Sequence, residues 1–203
     1  MRLISFCVLK QDPSEPLFLV RCHELGFMSF FQRPFAKEHL NFGARTATKS
    51  CGPGESSCIN IKEVQSNAYV FTNKAGVSVV IIADEEYPQK VILKIQRELF
   101  EEFYKNYKDS DVKNQSKDAD WTVDTFPTLI KKYQDPKEAD KLLKLQSELD
   151  DVTQLMYKNL DDIVARGETL DDMMKKSKDV SSMSYKFYKD SRKVNEGCCS
   201  LLQ

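Results

Sequence analysis

The stretch Asn159-Leu-Asp-Asp-Ile163-Val-Ala-Arg166-Gly-Glu-Thr-Leu170-Asp-Asp-Met173 decides the fold of the second half of the chain. Its key positions follow one another at alternating steps of four and three residues, the spacing of a heptad stripe on an α-helix. The spacing continues in register in both directions, and eleven of its sixteen positions are apolar. We therefore predict one long heptad-repeat helix over residues 141–196. This heptad seam comprises Leu142, Leu145, Leu149, Val152, Met156, Asn159, Ile163, Arg166, Leu170, Met173, Ser177, Val180, Ser184, Phe187, Ser191 and Val194.

The seam predicts partners, because a helix with one apolar stripe cannot bury that stripe by itself. It must meet other helices or fold back on the rest of the chain. Arg166 is the unusual seam residue, since a guanidinium buried without a partner costs several kcal/mol. It is either solvated at a gap or met by side-chain oxygens of other helices, where it would set the register of a bundle. A coiled coil that tolerates one arginine is the alternative at this point.

The composition of the chain changes near residues 134–140. All seven prolines lie at or before Pro136, and every phenylalanine except Phe187 precedes it. We expect a folded domain over 1–133, a linker over 134–140, the heptad helix over 141–196 and a cysteine tail over 197–203. The formal net charge of -1 argues against a nucleic-acid partner. No apolar run is long enough for a membrane span or a secretory signal, so we expect a cytoplasmic protein.

The first half of the chain alternates short β-rich runs with helical patterns. Strands are predicted over 2–9, 16–22, 57–64, 68–73 and 77–83, and helices near Pro34, after Pro88 and over 124–133. The first helix carries Phe35, His39 and Phe42 on its apolar face. Residues 105–120 are polar and predict a loop. This order of elements predicts the α+β class, with an antiparallel sheet and flanking helices.

Several segments resemble one known family. Val164–Asp172 is similar to the central segment of R-SNARE helices, in which Arg-Gly-Glu follows an apolar position and precedes leucine. Lys132–Asp140 and Leu145–Asp150 resemble the junction of the lipid-anchored, Ykt-type longin R-SNAREs, and Ser29–Arg33 and Ala83–Pro88 resemble their longin domain. The resemblance covers essentially the whole chain.

This resemblance implies a profilin-like longin domain followed by a SNARE helix. In the family that helix joins three glutamine-bearing Q-SNARE helices in a four-helix bundle, and the arginine matched by Arg166 meets the three glutamines. Phe42 matches a longin-surface phenylalanine that the family uses for a closed, autoinhibited state; ordinary core packing is the alternative for it. The implied function is fusion of vesicle and target membranes during protein transport, at Golgi, endosomal, vacuolar or vesicle membranes.

The chain ends in Gly197-Cys-Cys-Ser-Leu-Leu-Gln203. A standard prenylation box has cysteine fourth from the end, whereas here Ser200 holds that position. The resemblance implies prenylation of Cys199 and palmitoylation of Cys198 by the corresponding transferases, so that covalent lipids and no cofactor are expected. The extra residue leaves the prenyl step and its lipid open. An unmodified pair of thiols is the alternative.

Two other functions stay open. A non-fusogenic adaptor would use the longin domain to recruit tethers or coats, and the small polar residues Ser177, Ser184 and Ser191 would weaken late zipping. Acyl transfer through a thiol would need an imidazole, but Cys22 and His23 are strand neighbours that point to opposite faces. We therefore expect no catalytic residues and no enzyme. The acidic pairs at 150–151, 161–162 and 171–172 lie outside the seam and predict a solvated face rather than a metal site.

Overall fold

A six-stranded sheet forms the centre of the molecule. The computed structural model describes residues 2–61, 65–135, 138, 141, 155–164 and 168–199, and for residues 161, 162 and 193–199 it describes the backbone alone. The strands are β1 Leu3–Lys10, β2 Leu17–His23, β3 Ser56–Ile61, β4 Ser66–Thr72, β5 Val77–Asp84 and β6 Leu155–Asn159. They lie in the order β2-β1-β5-β4-β3-β6. The first five pair antiparallel, and β6 runs parallel to β3.

Helices cover both faces of this sheet. They are α1 Arg33–Lys49, α2 Gln89–Asn106, α3 Asp109–Asn114, α4 Phe126–Lys132, α5 Leu160–Ile163, α6 Leu170–Lys176 and α7 Ser182–Cys199. Side chains alternate between the faces of a strand, so β5 contributes to two cores. Val79 and Ile81 pack with α2 and α4, whereas Val80 and Ile82 pack beneath α1. None of the described helices is long and apolar enough to cross a membrane.

The predicted α+β class is confirmed, and the strands and helices of the first half follow in the predicted order. The five antiparallel strands agree with the predicted sheet. The prediction of a loop over 105–120 is wrong in one respect, because this polar segment contains the short helix α3. Val112, which is 3% exposed, anchors that helix in the core beside α2.

The heptad segment, residues 141–196, does not form the single helix that its periodicity predicts. In its described part the chain passes through β6, α5, α6 and α7 in succession. Packing supplies most of the stability of a helix. A straight rod of about 80 Å would leave the seam largely uncovered, whereas the folded-back segments bury apolar residues against the N-terminal domain.

Candidate functional site

The candidate functional site is the contact between the N-terminal domain and the heptad segment. It has three parts: a strand added to the sheet, an apolar cluster on α1, and a buried ion pair. Each part joins residues that lie about a hundred or more positions apart in sequence.

Strand β6 lies along the outer edge of β3. The pairing runs from Ser56↔Leu155 to Asn60↔Asn159. It satisfies backbone groups that β3 would otherwise present to solvent as an edge strand. Leu155 also packs against the core beneath α2, while Met156 and Tyr157 are 37% and 71% exposed. Backbone pairing is the continuous part of this contact, as in other cases of strand addition, and Tyr157 and Lys158 add side-chain hydrogen bonds to Gln89 and the carbonyl of Ser50.

The stripe of α1 predicted to be apolar faces the heptad segment. Phe42 is 8% exposed and forms a cluster with Met174 and Val180, to which Leu170, Met173, Tyr185 and Tyr188 add partly buried surface. One and two turns earlier on α1, the His39 ring lies 5.9 Å from Tyr188, and the Phe35 ring stacks on Phe187 with centroids 4.9 Å apart. Stacked aromatic pairs add about 1 kcal/mol beyond their buried area.

Arg45 forms the buried ion pair, which we call the Arg45 clamp. It is 3% exposed. Its Nε donates to Asp179 Oδ2 at 2.5 Å and its Nη2 to Asp179 Oδ1 at 2.9 Å, a two-pronged contact with the turn between α6 and α7. Nη2 also donates to Asp118 Oδ2 at 2.9 Å, and Nη1 donates to the carbonyl of Pro16. The guanidinium lies 4.5 Å from the Phe18 ring centre.

The electrostatics favour the charged forms in this clamp. Burial would lower the pKa of Arg45, but its hydrogen bonds to Asp179 and Asp118 outweigh burial and raise it. Burial would likewise raise the pKa of Asp118, but the hydrogen bond from Arg45 lowers it below its usual 3.8. A depressed carboxyl pKa contributes stability above the unfolded value, and this is lost only as the pH falls through the folded value. Arg45 and Asp118 are therefore both charged at physiological pH.

The N-terminus of α7 is held by the same face of α1. Glu38 Oε2 accepts from the backbone N–H of Ser181 at 2.7 Å. Burial would raise the pKa of Glu38, but hydrogen bonds from Ser181 oppose it, and the pKa is lowered. A carboxylate at this position also interacts favourably with the helix dipole.

The structure places the seam residues unevenly. Val180 is 9% and Ser184 is 0% exposed, and Ile163, Leu170 and Met173 are partly buried. Met156, Asn159, Ser177, Phe187 and Ser191 are half-buried or exposed, and the most buried apolar residue of the cluster is Met174, which lies off the seam. The N-terminal domain therefore covers only part of the described seam. Leu142, Leu145, Leu149, Val152 and Arg166 lie outside the described residues, as do the side chains of Val194, Cys198 and Cys199.

The environments of Cys22, His23 and His39 do not favour acyl transfer. Burial raises the pKa of the Cys22 thiol to about 11. Burial lowers the pKa of His23 to about 4, and its Nδ1 is hydrogen-bonded to Ser5 Oγ at 2.8 Å. His39 Nδ1 lies 2.7 Å from the carbonyl of Phe35, within its own helix. A nucleophilic thiolate needs a lowered thiol pKa, which is the opposite of what Cys22 has.

A cavity of about 890 Å³ opens beside the apolar cluster. It lies between α1, one end of the sheet and the folded-back segment, and Met28, Leu40, Ile61, Leu160 and Phe187 are among its lining residues. Pockets of this size and apolar character hold small apolar ligands in other proteins.

Known proteins resemble the chain over its full length. The Synaptobrevin family profile matches residues 141–200. VAMP-like protein YKT61 of Arabidopsis thaliana is 32% identical over 204 residues, with 100% of both chains covered. Synaptobrevin homolog ykt6 of Schizosaccharomyces pombe is 33% identical over 202 residues, with 98% of both chains covered. VAMP-like protein YKT62 of Arabidopsis thaliana is 34% identical over 207 residues, with 100% of both covered.

Proposed function

This chain belongs to the Ykt-type synaptobrevins, the R-SNARE proteins of vesicle fusion, and we propose that its N-terminal domain autoinhibits it by holding the heptad segment out of the helical conformation. The observation that carries the proposal is β6. A SNARE bundle needs a continuous helix, and Met156 and Asn159 of the seam lie in a strand paired with β3. A residue in a strand cannot occupy a position of a helical bundle.

The closed state also uses contacts that a bundle would not use. Phe42, Arg45 and the edge of β3 all belong to the N-terminal domain, while Met174 and Asp179 lie off the heptad seam. Autoinhibition in this scheme controls the backbone conformation of the heptad segment rather than the exposure of every seam residue. Opening then requires the β6 pairing, the apolar cluster and the Arg45 clamp to be lost together.

In the open state the seam zips with three Q-SNARE helices on an apposed membrane. Arg166 then meets three glutamine side chains, which satisfy a guanidinium that would otherwise be costly to bury. Zipping from Leu142 toward Val194 draws the two bilayers together, and formation of the bundle supplies the free energy for fusion. Family membership points to a non-enzymatic role.

The membrane anchor in this proposal is the cysteine tail. A prenyl group on Cys199 and a palmitoyl group on Cys198, added by their transferases, give two lipid chains, and two chains are what stable anchoring requires. The cavity beside Phe42 could take up one such chain in the closed state, which would withhold that anchor from the membrane. Opening would release the lipid to Golgi, endosomal, vacuolar or vesicle membranes.

Lipid mixing between reconstituted vesicles tests this function. The lipidated chain on one set of vesicles and Q-SNARE helices on the other are expected to mix lipids and to yield a heat-resistant complex. Arg166→Glu should abolish both, because it places a carboxylate opposite the glutamine oxygens, whereas Arg166→Lys keeps the charge and should retain part of the activity. A chain that forms the complex yet mixes no lipid would instead be the non-fusogenic adaptor.

A further inference from the structure

Two phenylalanine side chains project from the loop that precedes α1. Phe30 is 76% exposed and Phe31 is 81% exposed. The backbone N–H of Gln32 donates to the carbonyl of Ser29 at 3.0 Å, so the two phenylalanines are the central residues of a hydrogen-bonded β-turn. Gly, Asn, Asp, Pro and Ser usually occupy such positions, and each of them has a conformational reason to do so. Two exposed rings at these positions stabilise neither the turn nor the core.

The loop around this turn is well braced. Ser29 Oγ donates to Gln32 Oε1 at 2.9 Å, and the N–H of Met28 donates to the carbonyl of Leu25 at 3.0 Å to close a preceding turn. Arg33 Nε donates to the carbonyl of Met28 at 3.2 Å. The Phe30 and Phe31 rings pack edge to face at 5.9 Å. The two rings are thus held outward as a pair, so that binding a surface would cost little additional conformational entropy in this loop.

Three basic residues belong to this region of the chain: Arg2, Arg33 and Lys37. The Arg2 guanidinium lies 4.7 Å from the centre of the Phe27 ring, which is itself 45% exposed. Arg33 follows the turn, and Lys37 is exposed one helical turn later on α1. The carboxylate of Glu24 is in the same loop, where it accepts the N–H of Gly26 at 2.9 Å. Apolar rings flanked by basic side chains are the composition of a surface that enters an anionic lipid headgroup region.

The direction of α7 places the end of the chain on the same side. Its contacts on α1 move from Glu38 at Ser181, through Phe35 at Phe187, toward Gln32, which shares the cavity wall with Ser191. The two helices are therefore antiparallel. Helix α7 continues from Ser191 to Cys199, about 12 Å further at 1.5 Å per residue, past the N-terminus of α1. The tail and the aromatic turn thus face the same region.

We propose that the turn Ser29–Gln32 is a membrane-contact site, in which Phe30 and Phe31 enter the interface of an anionic bilayer while Arg2, Arg33 and Lys37 meet its headgroups. The site would orient the N-terminal domain on the membrane that holds the tail. The argument from the tail rests on the proposed function, whereas the exposed rings and their charges do not. The contact is therefore expected of the chain without its lipids.

Sedimentation of the unlipidated full-length chain with vesicles tests the site. Vesicles of phosphatidylcholine and phosphatidylserine are expected to bind it, and vesicles of phosphatidylcholine alone should bind it more weakly. Phe30→Ser/Phe31→Ser should lower the partition coefficient by at least about a hundredfold, because two rings lose their apolar burial. Met183→Ser is the matched control, since Met183 is 67% exposed on α7. Added salt should weaken the remaining attraction.

Equal partition of the double variant and the unchanged chain would overturn the proposal. So would a dimer of the unchanged chain in sedimentation velocity that becomes monomeric in the double variant without any vesicle binding, because the rings would then contact a second copy. Failure of the proposed function is a separate result, read from the Arg166 variants in lipid mixing. Arg166→Lys leaves both the turn and the net charge intact and should sediment with vesicles like the unchanged chain.

Discussion

At the scale of single residues, Asp179 gives the sharpest test of the closed state. Asp179→Asn removes the charge partner of a buried arginine, but it lies off the seam and leaves the bundle surface unchanged. Breaking a buried ion pair costs about 3–5 kcal/mol. Asp179→Asn should destabilise the closed state by about 3 kcal/mol or less, because Arg45 retains its ion pair with Asp118. We expect assembly with Q-SNARE helices to be faster, measured by stopped-flow fluorescence.

The matched control for this test is Asp120→Asn. Asp120 is paired with Arg21 on the surface, and its side chain is 84% exposed. Exposed pairs contribute little, so this variant should assemble at the rate of the unchanged chain. If Asp179→Asn assembles no faster than Asp120→Asn, the Arg45 clamp plays no part in holding the chain closed.

The lowered pKa of His23 predicts how the stability of the N-terminal domain depends on pH. Burial, with a smaller effect from the charge of Lys37, lowers its pKa from 6.5 to about 4. The unfolded chain therefore binds the proton more readily, and stability should fall as the pH drops from 6.5 toward 4, by up to about 3 kcal/mol. Urea unfolding between pH 5 and 7 measures this, and His23→Gln should flatten the dependence. An equally steep profile in that variant would assign the effect to other groups.

At the scale of elements, β6 should protect β3 from hydrogen exchange only while the chain is closed. Pairing with β6 turns β3 from an edge strand into an internal one, and exchange of its amides then requires local opening. Added Q-SNARE helices should remove β6, so peptides covering 56–61 should exchange faster in the complex, while those covering β1 should not change. Continued protection of 56–61 in the assembled complex would mean that β6 stays paired during bundle formation.

The elements of the N-terminal domain could be predicted because their signals are local. Apolar runs such as 77–83 and the spacing of Ile92, Ile95, Leu99 and Phe103 give the strand and helix directly. The heptad segment carries an equally clear helical period, yet 155–159 is a strand. Pairing with the edge of β3 overrides the local preference there, and it depends on residues about a hundred positions earlier.

In the candidate site, too, only the features encoded by local sequence patterns could be predicted. The stripe of Phe35, His39 and Phe42 is visible in the sequence as an apolar face. Arg45 is not, because a single basic residue in a helix usually faces solvent, and its partners lie 73 and 134 positions away. Its one local signal is its position among the small residues Ala44, Thr46 and Ala47, all of them buried. Asp179 has no sequence signal that separates it from the other surface acids.

At the scale of the whole molecule, the closed and open states should differ in size. A compact chain of 203 residues has a radius of gyration of about 17 Å. A heptad segment released from the domain extends away from it, by up to the roughly 80 Å of a straight helix, and raises that radius to well above 20 Å. Phe42→Glu should drive this change without partners, because it places a carboxylate against Met174 and Val180. Phe42→Leu keeps an apolar side chain and should stay compact.

Small-angle X-ray scattering of the two Phe42 variants separates conformational release from unfolding. The N-terminal domain has its own cores, built on both faces of the first five strands, and Phe42 belongs to neither. Phe42→Glu should therefore keep the near-ultraviolet circular dichroism of that domain while its radius of gyration increases. Equal radii for Phe42→Glu and Phe42→Leu would show that the apolar cluster does not hold the heptad segment, and autoinhibition would then depend on β6 and the Arg45 clamp alone.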